Sequence, residues 1–177
     1  MMKLIRVLTF VAASLVMLIG VAGMIGFTLP RHYHATSHAF YRAPRDSVWA
    51  VVADIERSPR WRTDITGVKR LPDRDGHPVW EQESRGGAWP LELTRIAPPD
   101  TLVAAAADTT QGYGGAWTYT LASGRGGTTV TVAEAGFVDN PMFRFLAHFV
   151  FGLRTGQQQY LRDLGKRLGE AVEVVEG

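Results

Sequence analysis

The stretch that most limits what this chain can fold into is residues 113–151, YGGAWTYTLASGRGGTTVTVAEAGFVDNPMFRFLAHFVF. Trp117, Tyr119 and Leu121 alternate with Ala116, Thr118 and Thr120, the two-residue period of a strand with one buried face. Gly124-Arg125-Gly126-Gly127 supplies the positive-φ positions of a tight turn. Thr128-Thr129-Val130-Thr131-Val132 follows at once, β-branched throughout, as the partner strand. Near Asn140-Pro141 the apolar period becomes that of a helix. A curved sheet feeding directly into a long helix predicts a trough with a lid, and aromatics along the trough predict a greasy occupant.

The segments before it carry the same alternation. Thr36 to Tyr41 reads as a first strand, and Ile65–Leu71, Val79–Ser84, Trp89–Ile96 and Leu102–Ala107 as further strands. Asp73 to Gly76, Arg85-Gly86-Gly87, Pro98-Pro99-Asp100 and Gly112 to Gly115 punctuate them. Strands joined by short turns predict an antiparallel meander rather than βαβ units. Between the first two strands Val48, Val51, Val52 and Ile55 recur at helical spacing after Pro44, with Asp46 or Ser47 as the expected cap. Ser58-Pro59-Arg60-Trp61 breaks that helix and starts a short second one. The closing helix is predicted over residues 141–174, with a stripe from Phe143 through Leu146, Val150, Leu153 and Gln157 to Leu164, Leu168 and Val172. Its first third is apolar nearly all round, which points to a cavity, a partner or lipid beside it.

Residues 7–29, VLTFVAASLVMLIGVAGMIGFTL, carry no charge. At roughly 1.5 Å per residue they span about 35 Å, against about 30 Å of bilayer hydrocarbon. A cleaved leader has a shorter apolar core, and the one tolerable cleavage pattern, Ser37-His38-Ala39, falls inside an expected strand, so a retained single-pass anchor is predicted. The division expected is therefore an anchor over 1–30, a linker over 31–35 and a ligand-binding domain over 36–177. Gly20, Gly23 and Gly26, with Ala22 four before Gly26, offer a helix-packing face. Lys3 and Arg6 before the span favour a cytoplasmic N-terminal tail, and hence a domain on the extracytoplasmic side, although Arg31, Arg42 and Arg45 follow it. His32, His34 and His38 read as a solvated junction, with no carboxylate before Asp46 to complete a metal site.

The net charge is +2, and the excess lies before the anchor, so the sequence pI near 9.1 marks no basic stripe and no nucleic-acid partner is predicted. With no cysteine, disulfides, thiolate metal sites and cysteine nucleophiles are excluded.

Ala43-Pro44, Val48-Trp49, Asp54, Pro59 and Trp61, then Gly115-Ala116-Trp117-Thr118-Tyr119, Gly126-Gly127-Thr128, Val130-Thr131 and the closing helix resemble the polyketide cyclase/dehydrase branch of the START-like (SRPBCC) superfamily. The likeness covers residues 36 to about 172. It implies an α+β helix-grip fold, a curved antiparallel sheet wrapped around a long C-terminal helix, here preceded by one transmembrane helix. It also implies a deep apolar cavity for a lipid, sterol, quinone, polyketide or hormone, with enzymes such as aromatase/cyclases a minority.

No nucleophile elbow, zincin motif or phosphate loop is present, and no cofactor or metal is predicted. Glu81 and Glu83 share a strand face and are expected in solvent if Trp80 points inward. Glu92, Arg95, Asp139 and His148 are candidate polar groups for the cavity, His148 because it interrupts the apolar helix start. The expected ligand contacts are Trp80, Trp117, Tyr119, Phe143, Leu146, His148 and Val150, with Tyr119 offering one hydrogen-bonding tip. The predicted function is membrane-anchored binding of a lipophilic small molecule without chemistry. The alternatives are a cyclase- or dehydratase-like enzyme, and a membrane-tethered interaction module. The oligomeric state is left open.

Overall fold

The computed structural model describes residues 2–124 and 126–177; Arg125, in the expected turn, lies outside them. The chain divides into two compact units, one of residues up to 31 with 138–152, the other of residues 32–137 with 153–177.

The larger unit holds an eight-stranded antiparallel sheet. Its strands are β1 (His32–Tyr41), β2 (Gly67–Arg74), β3 (His77–Ser84), β4 (Gly87–Ala97), β5 (Thr101–Ala106), β6 (Tyr113–Gly124), β7 (Gly127–Val138) and β8 (Val174–Glu176). The spatial order is β2-β3-β4-β5-β6-β7-β1-β8, so the five hairpins from β2 to β7 form a meander and β1 closes on β7. Every strand read from the alternation is present. β1 starts at His32, four residues earlier than expected, because His32 to Ala35 pair with Phe137 to Glu134. His34 is exposed on the strand face opposite Ala35 and Ser37, so the junction histidines are strand residues.

α2 (Arg45–Val52) and a 3-10 turn at Ser58–Arg60 connect β1 to β2. Pro44 rather than Asp46 or Ser47 holds the N-cap position and caps with no side chain; Asp46 sits in the first turn, where its charge meets the helix dipole. Val48 and Val52 are the buried residues of α2.

The closing helix is shorter than its apolar stripe. α4 runs only over Thr155–Arg167. Gly169 takes φ +77°, and the Glu170 amide donates to the Gly165 carbonyl, a left-handed helix stop that needs glycine. The residues beyond it turn back, and Val174 to Glu176 pair with Ala39 to Ser37. At the other end Gly152, φ +76° and ψ 125°, separates α4 from the helical turns before it. Within α4, Gln157, Tyr160, Leu161, Leu164 and Gly165 are buried at the i, i+3, i+4 spacing of one face, with Asp163 buried beside them. Tyr160, Leu161 and Leu164 pack with Tyr41, Val130, Val132, Leu102 and Leu121 of the sheet's inner face. Polar ties fix the grip. The Tyr41 hydroxyl donates to Leu161 O (2.8 Å), and Gln157 Nε2 donates to Ala35 O (3.0 Å) and Glu134 Oε2 (3.2 Å). The Tyr33 hydroxyl donates to Glu134 Oε1 (2.6 Å), and burial followed by that carboxylate pushes its phenol well up.

The smaller unit contains α1 (Met2–Thr28), α3 (Pro141–Leu146) and a π-type turn at Ala147–Phe151. α1 is long and apolar enough to cross a membrane, and its large apolar side chains are exposed along its length.

Candidate functional site

In the larger unit a crevice lies between the sheet and the segment from α2 to the 3-10 turn, with Tyr160 of α4 at its side. The sheet contributes Trp80 and Gln82 from β3, Leu91 and Leu93 from β4, Leu102 and Ala104 from β5, and Tyr119 from β6. Each pair stands two apart on its strand, because alternate residues share the inner face. Val52, Ile55, Ser58, Trp61 and Arg62 close the opposite wall. Ser58-Pro59-Arg60 makes this wall possible: the 3-10 turn drives Trp61 and Arg62 inward in place of another helical turn.

The crevice is narrow. About 420 Å³ of space lies between its lining atoms, counting the open mouth, but only about 20 Å³ admits the centre of a water-sized sphere. That is room for about one water molecule. The roomy trough implied by the family resemblance is closed here by aromatic rings: Tyr160 stands 5.0 Å from Tyr119 and 5.3 Å from Trp61, centroid to centroid.

The walls are mainly apolar, yet five polar side chains face the same space. Ser58 is 2 % exposed and its hydroxyl has no hydrogen-bond partner. Gln82 is buried on the sheet side. Arg62 forks onto Asp64, Nε to Oδ1 at 3.1 Å and Nη2 to Oδ2 at 2.6 Å, and its guanidinium lies 5.3 Å from the Tyr160 ring centre. Burial opposes the Arg62 charge, but Asp64 and the two nearby phenols outweigh it and raise its pKa. Burial pushes the Tyr119 phenol up and the Tyr160 phenol well up, although the Arg62 cation pulls both down. Both phenols therefore remain protonated donors. Among the described residues that line the crevice there is no carboxylate, histidine, lysine or cysteine. The arrangement can hold an oxygen-bearing group by hydrogen bonds, and it lacks a side chain that would act as a base near neutral pH.

The loop carrying Arg62 is pinned from α4. Asp163 is fully buried; its Oδ2 accepts from Thr63 N (2.9 Å) and Thr63 Oγ1 (2.6 Å), and its Oδ1 from Gln159 (2.9 Å) and Lys166 (3.1 Å). Burial alone would raise this carboxyl, but the four hydrogen bonds together hold it below the usual carboxylate range.

Of the residues expected from the sequence, Trp80 and Tyr119 meet at the crevice. Trp117 shares the strand face of Tyr119, opposite Ala104, but is not one of the crevice walls. Phe143, Leu146, His148 and Val150 belong to the helical turns of the smaller unit, where Phe143, His148 and Val150 are exposed. Glu92 pairs with His77 (2.6 Å), Asp139 with Arg31, and Arg95 is exposed. Glu83 is exposed and Glu81 half-buried while Trp80 faces the crevice. Ser58, Arg62, Gln82 and Tyr160 were not singled out as ligand contacts. The only signal for the first two was the Pro-interrupted run before Trp61, and alternation with Trp80 marks Gln82.

A curved antiparallel sheet gripping a C-terminal helix over an inner crevice defines a START-like helix-grip protein. The chain belongs to the polyketide cyclase / dehydrase and lipid transport family, whose model matches residues 42–160. No protein with a curated description matches it in sequence. Among solved structures it is similar to the Zhui aromatase/cyclase from Streptomyces sp. R1128, with 15% identity and a TM-score of 0.63 over 75% of this chain and 91% of that one. It is also similar to norcoclaurine synthase from Thalictrum flavum, with 7% identity and a TM-score of 0.62 over 77% and 94%. The di-domain aromatase/cyclase StfQ of the steffimycin biosynthetic pathway matches at 10% identity and a TM-score of 0.61 over 78% of this chain; the chain spans only 52% of that protein. At these identities the likeness is one of fold.

Proposed function

We propose that this protein binds a lipophilic small molecule, such as a lipid, quinone or polyketide, in the crevice of its START-like domain (residues 36–177) while residues 1–30 anchor it in a membrane. The observation that carries this reading is a set of hydrogen-bonding tips facing an otherwise apolar slot, foremost the buried Ser58 hydroxyl with no partner of its own. An unpaired buried hydroxyl costs stability, so a ligand oxygen that completes it has a ready place to bind. Membership of a family described by cyclisation, dehydration and lipid transport supports the same ligand class.

The free crevice holds about one water, so a ligand enters by displacing rings, with Trp61 and Tyr160 the side chains that must turn. Part of the binding energy goes into that opening, and each buried methylene returns about 0.8 kcal/mol against it. The reading of the anchor favours a domain on the extracytoplasmic side. Mass spectrometry of organic extracts from detergent-purified full chain, together with tryptophan fluorescence during ligand titration, tests the proposal. A co-purifying lipophile, or saturable quenching of Trp61 and Trp80, supports it; no bound molecule and no response across quinones, fatty acids and polyphenols overturns it.

The convergence of Arg62, Tyr119 and Tyr160 favours a second reading, a cyclase or dehydratase in which these donors stabilise charge on a carbonyl oxygen. It predicts turnover of a polyketide-like substrate that is lost in Tyr119→Phe while binding survives. The third reading, an interaction module, predicts a stoichiometric protein crosslink in native membranes.

A further inference from the structure

The smaller unit holds a feature that ligand binding does not use. α3 opens on Asn140, whose side chain accepts from Met142 N (2.8 Å) and Phe143 N (3.2 Å), with Pro141 in the first turn. Its start lies against the C-terminal end of α1. Gly26 is buried, and a Cβ there would overlap the Pro141 carbonyl; one at Gly23 would touch Met142. The small-residue face of α1 is thus used within the chain. Arg144 locks the contact: it is 7 % exposed, donates from Nη1 to Leu29 O (2.6 Å), and lies 6.0 Å from the centre of the Phe27 ring. A guanidinium so placed completes a carbonyl just beyond the end of α1, where the helix dipole favours a cation. The Arg31–Asp139 pair and the Val138 N to Arg31 O bond (2.9 Å) close the joint.

Braced in this way, the eleven residues 141–151 turn large apolar side chains outward. Phe143 is 56 % exposed, Phe149 62 % and Val150 60 %, and the Phe145 ring lies tilted against that of Phe149, 5.1 Å between centres. The one full charge in the segment, Arg144, is spent on the joint. The neighbouring end of α1 presents Met24, Ile25 and Phe27 in the same exposed state. An apolar surface of this kind, packed beside a membrane-length helix, has the chemistry of a lipid-facing element.

We infer that residues 141–151 enter the same bilayer as α1, lying at the boundary of headgroups and acyl chains as a second, non-spanning membrane element. This rests on the anchor reading of α1. Eleven residues at roughly 1.5 Å each reach about 16 Å, half the hydrocarbon thickness, so the segment embeds and does not cross. Phenylalanines at that depth, with Arg31 and Asp139 at the water side, match the usual ordering of side chains at an interface.

The absence of cysteine makes a clean test available. Leu15→Cys, Phe149→Cys and Gln111→Cys variants of the full chain, each carrying an environment-sensitive fluorophore, are reconstituted into phosphatidylcholine/phosphatidylglycerol vesicles containing nitroxide lipids, with iodide as the aqueous quencher. The expected result is lipid quenching with loss of iodide quenching at positions 15 and 149, and the reverse at 111. Position 149 quenched by iodide like 111, while 15 is in lipid, overturns this inference and leaves the anchor standing. Position 149 shielded from both quenchers also overturns it, in favour of a protein partner or a second copy. Position 15 outside lipid overturns the anchor reading and this inference together.

Discussion

Ser58 and Tyr119 separate a pocket from a core more sharply than any other residues here. A hydroxyl that is buried and unpartnered burdens the free protein, by about 1–3 kcal/mol for a fully desolvated group. Ser58→Ala should therefore leave the free protein as stable or more so, raising its thermal midpoint, while weakening the affinity for an oxygen-bearing ligand. Tyr119→Phe removes only the phenol oxygen and keeps the ring against Tyr160, so stability should change by under about 1 kcal/mol while ligand affinity falls about tenfold. Calorimetric unfolding paired with fluorescence titration reads both. If either variant loses stability and affinity in proportion, its side chain is packing alone. Asp163 is the opposite case, a buried carboxylate with every partner in place. Its folded pKa is depressed, so its contribution is complete above the ordinary carboxylate range and lost as pH falls through the folded value. Asp163→Asn should cost about 2 kcal/mol at pH 7, and the gap from the parent should shrink toward pH 3, as seen in denaturant midpoints across pH.

At the scale of elements, the ends of helices decide more than their faces. The apolar stripe that runs on through Leu168 to Val172 is real, and both side chains still pack against the core. They do so from a turn, because Gly169 adopts φ +77° and sends the chain back along β1. Gly169→Ala should cost about 1 kcal/mol through strain at that position, with the secondary-structure content unchanged by circular dichroism. A larger loss would mean that β8 detaches with it. At Gly152 a positive φ with an extended ψ (+76°, 125°) likewise interrupts the helical run, between Phe151 and α4.

For the whole molecule, the chain passes between its two units three times, at residues 31–32, 137–138 and 152–153. If residues 1–30 anchor the chain as proposed, the side of the membrane on which the larger unit lies can be read from its C-terminus. Fusing a reporter enzyme active on only one side of the membrane to the C-terminus should give activity on the extracytoplasmic side; a signal confined to the cytoplasm reverses the orientation read from Lys3 and Arg6.

Period and punctuation were enough to determine the antiparallel meander and the apolar anchor-length helix, because strand alternation, glycine turns and a long uncharged run are local properties of a chain; the family came from the resemblance of an ordered set of aromatics and glycines and is shown by the match over residues 42–160. Alternation put Tyr119 on the same face as Trp117 and left the direction of Trp80 open, and the structure brings Trp80 and Tyr119 together at the crevice. Tertiary structure alone decided that Arg62 and Ser58 join them, since a Pro-broken turn reads as a loop until the sheet curves up to meet it. It likewise decided that the crevice is nearly filled and that Gly26 serves a helix within the same chain. Those outcomes depend on the distance between surfaces far apart in sequence, and hydrophobic period records which face is buried without recording against what.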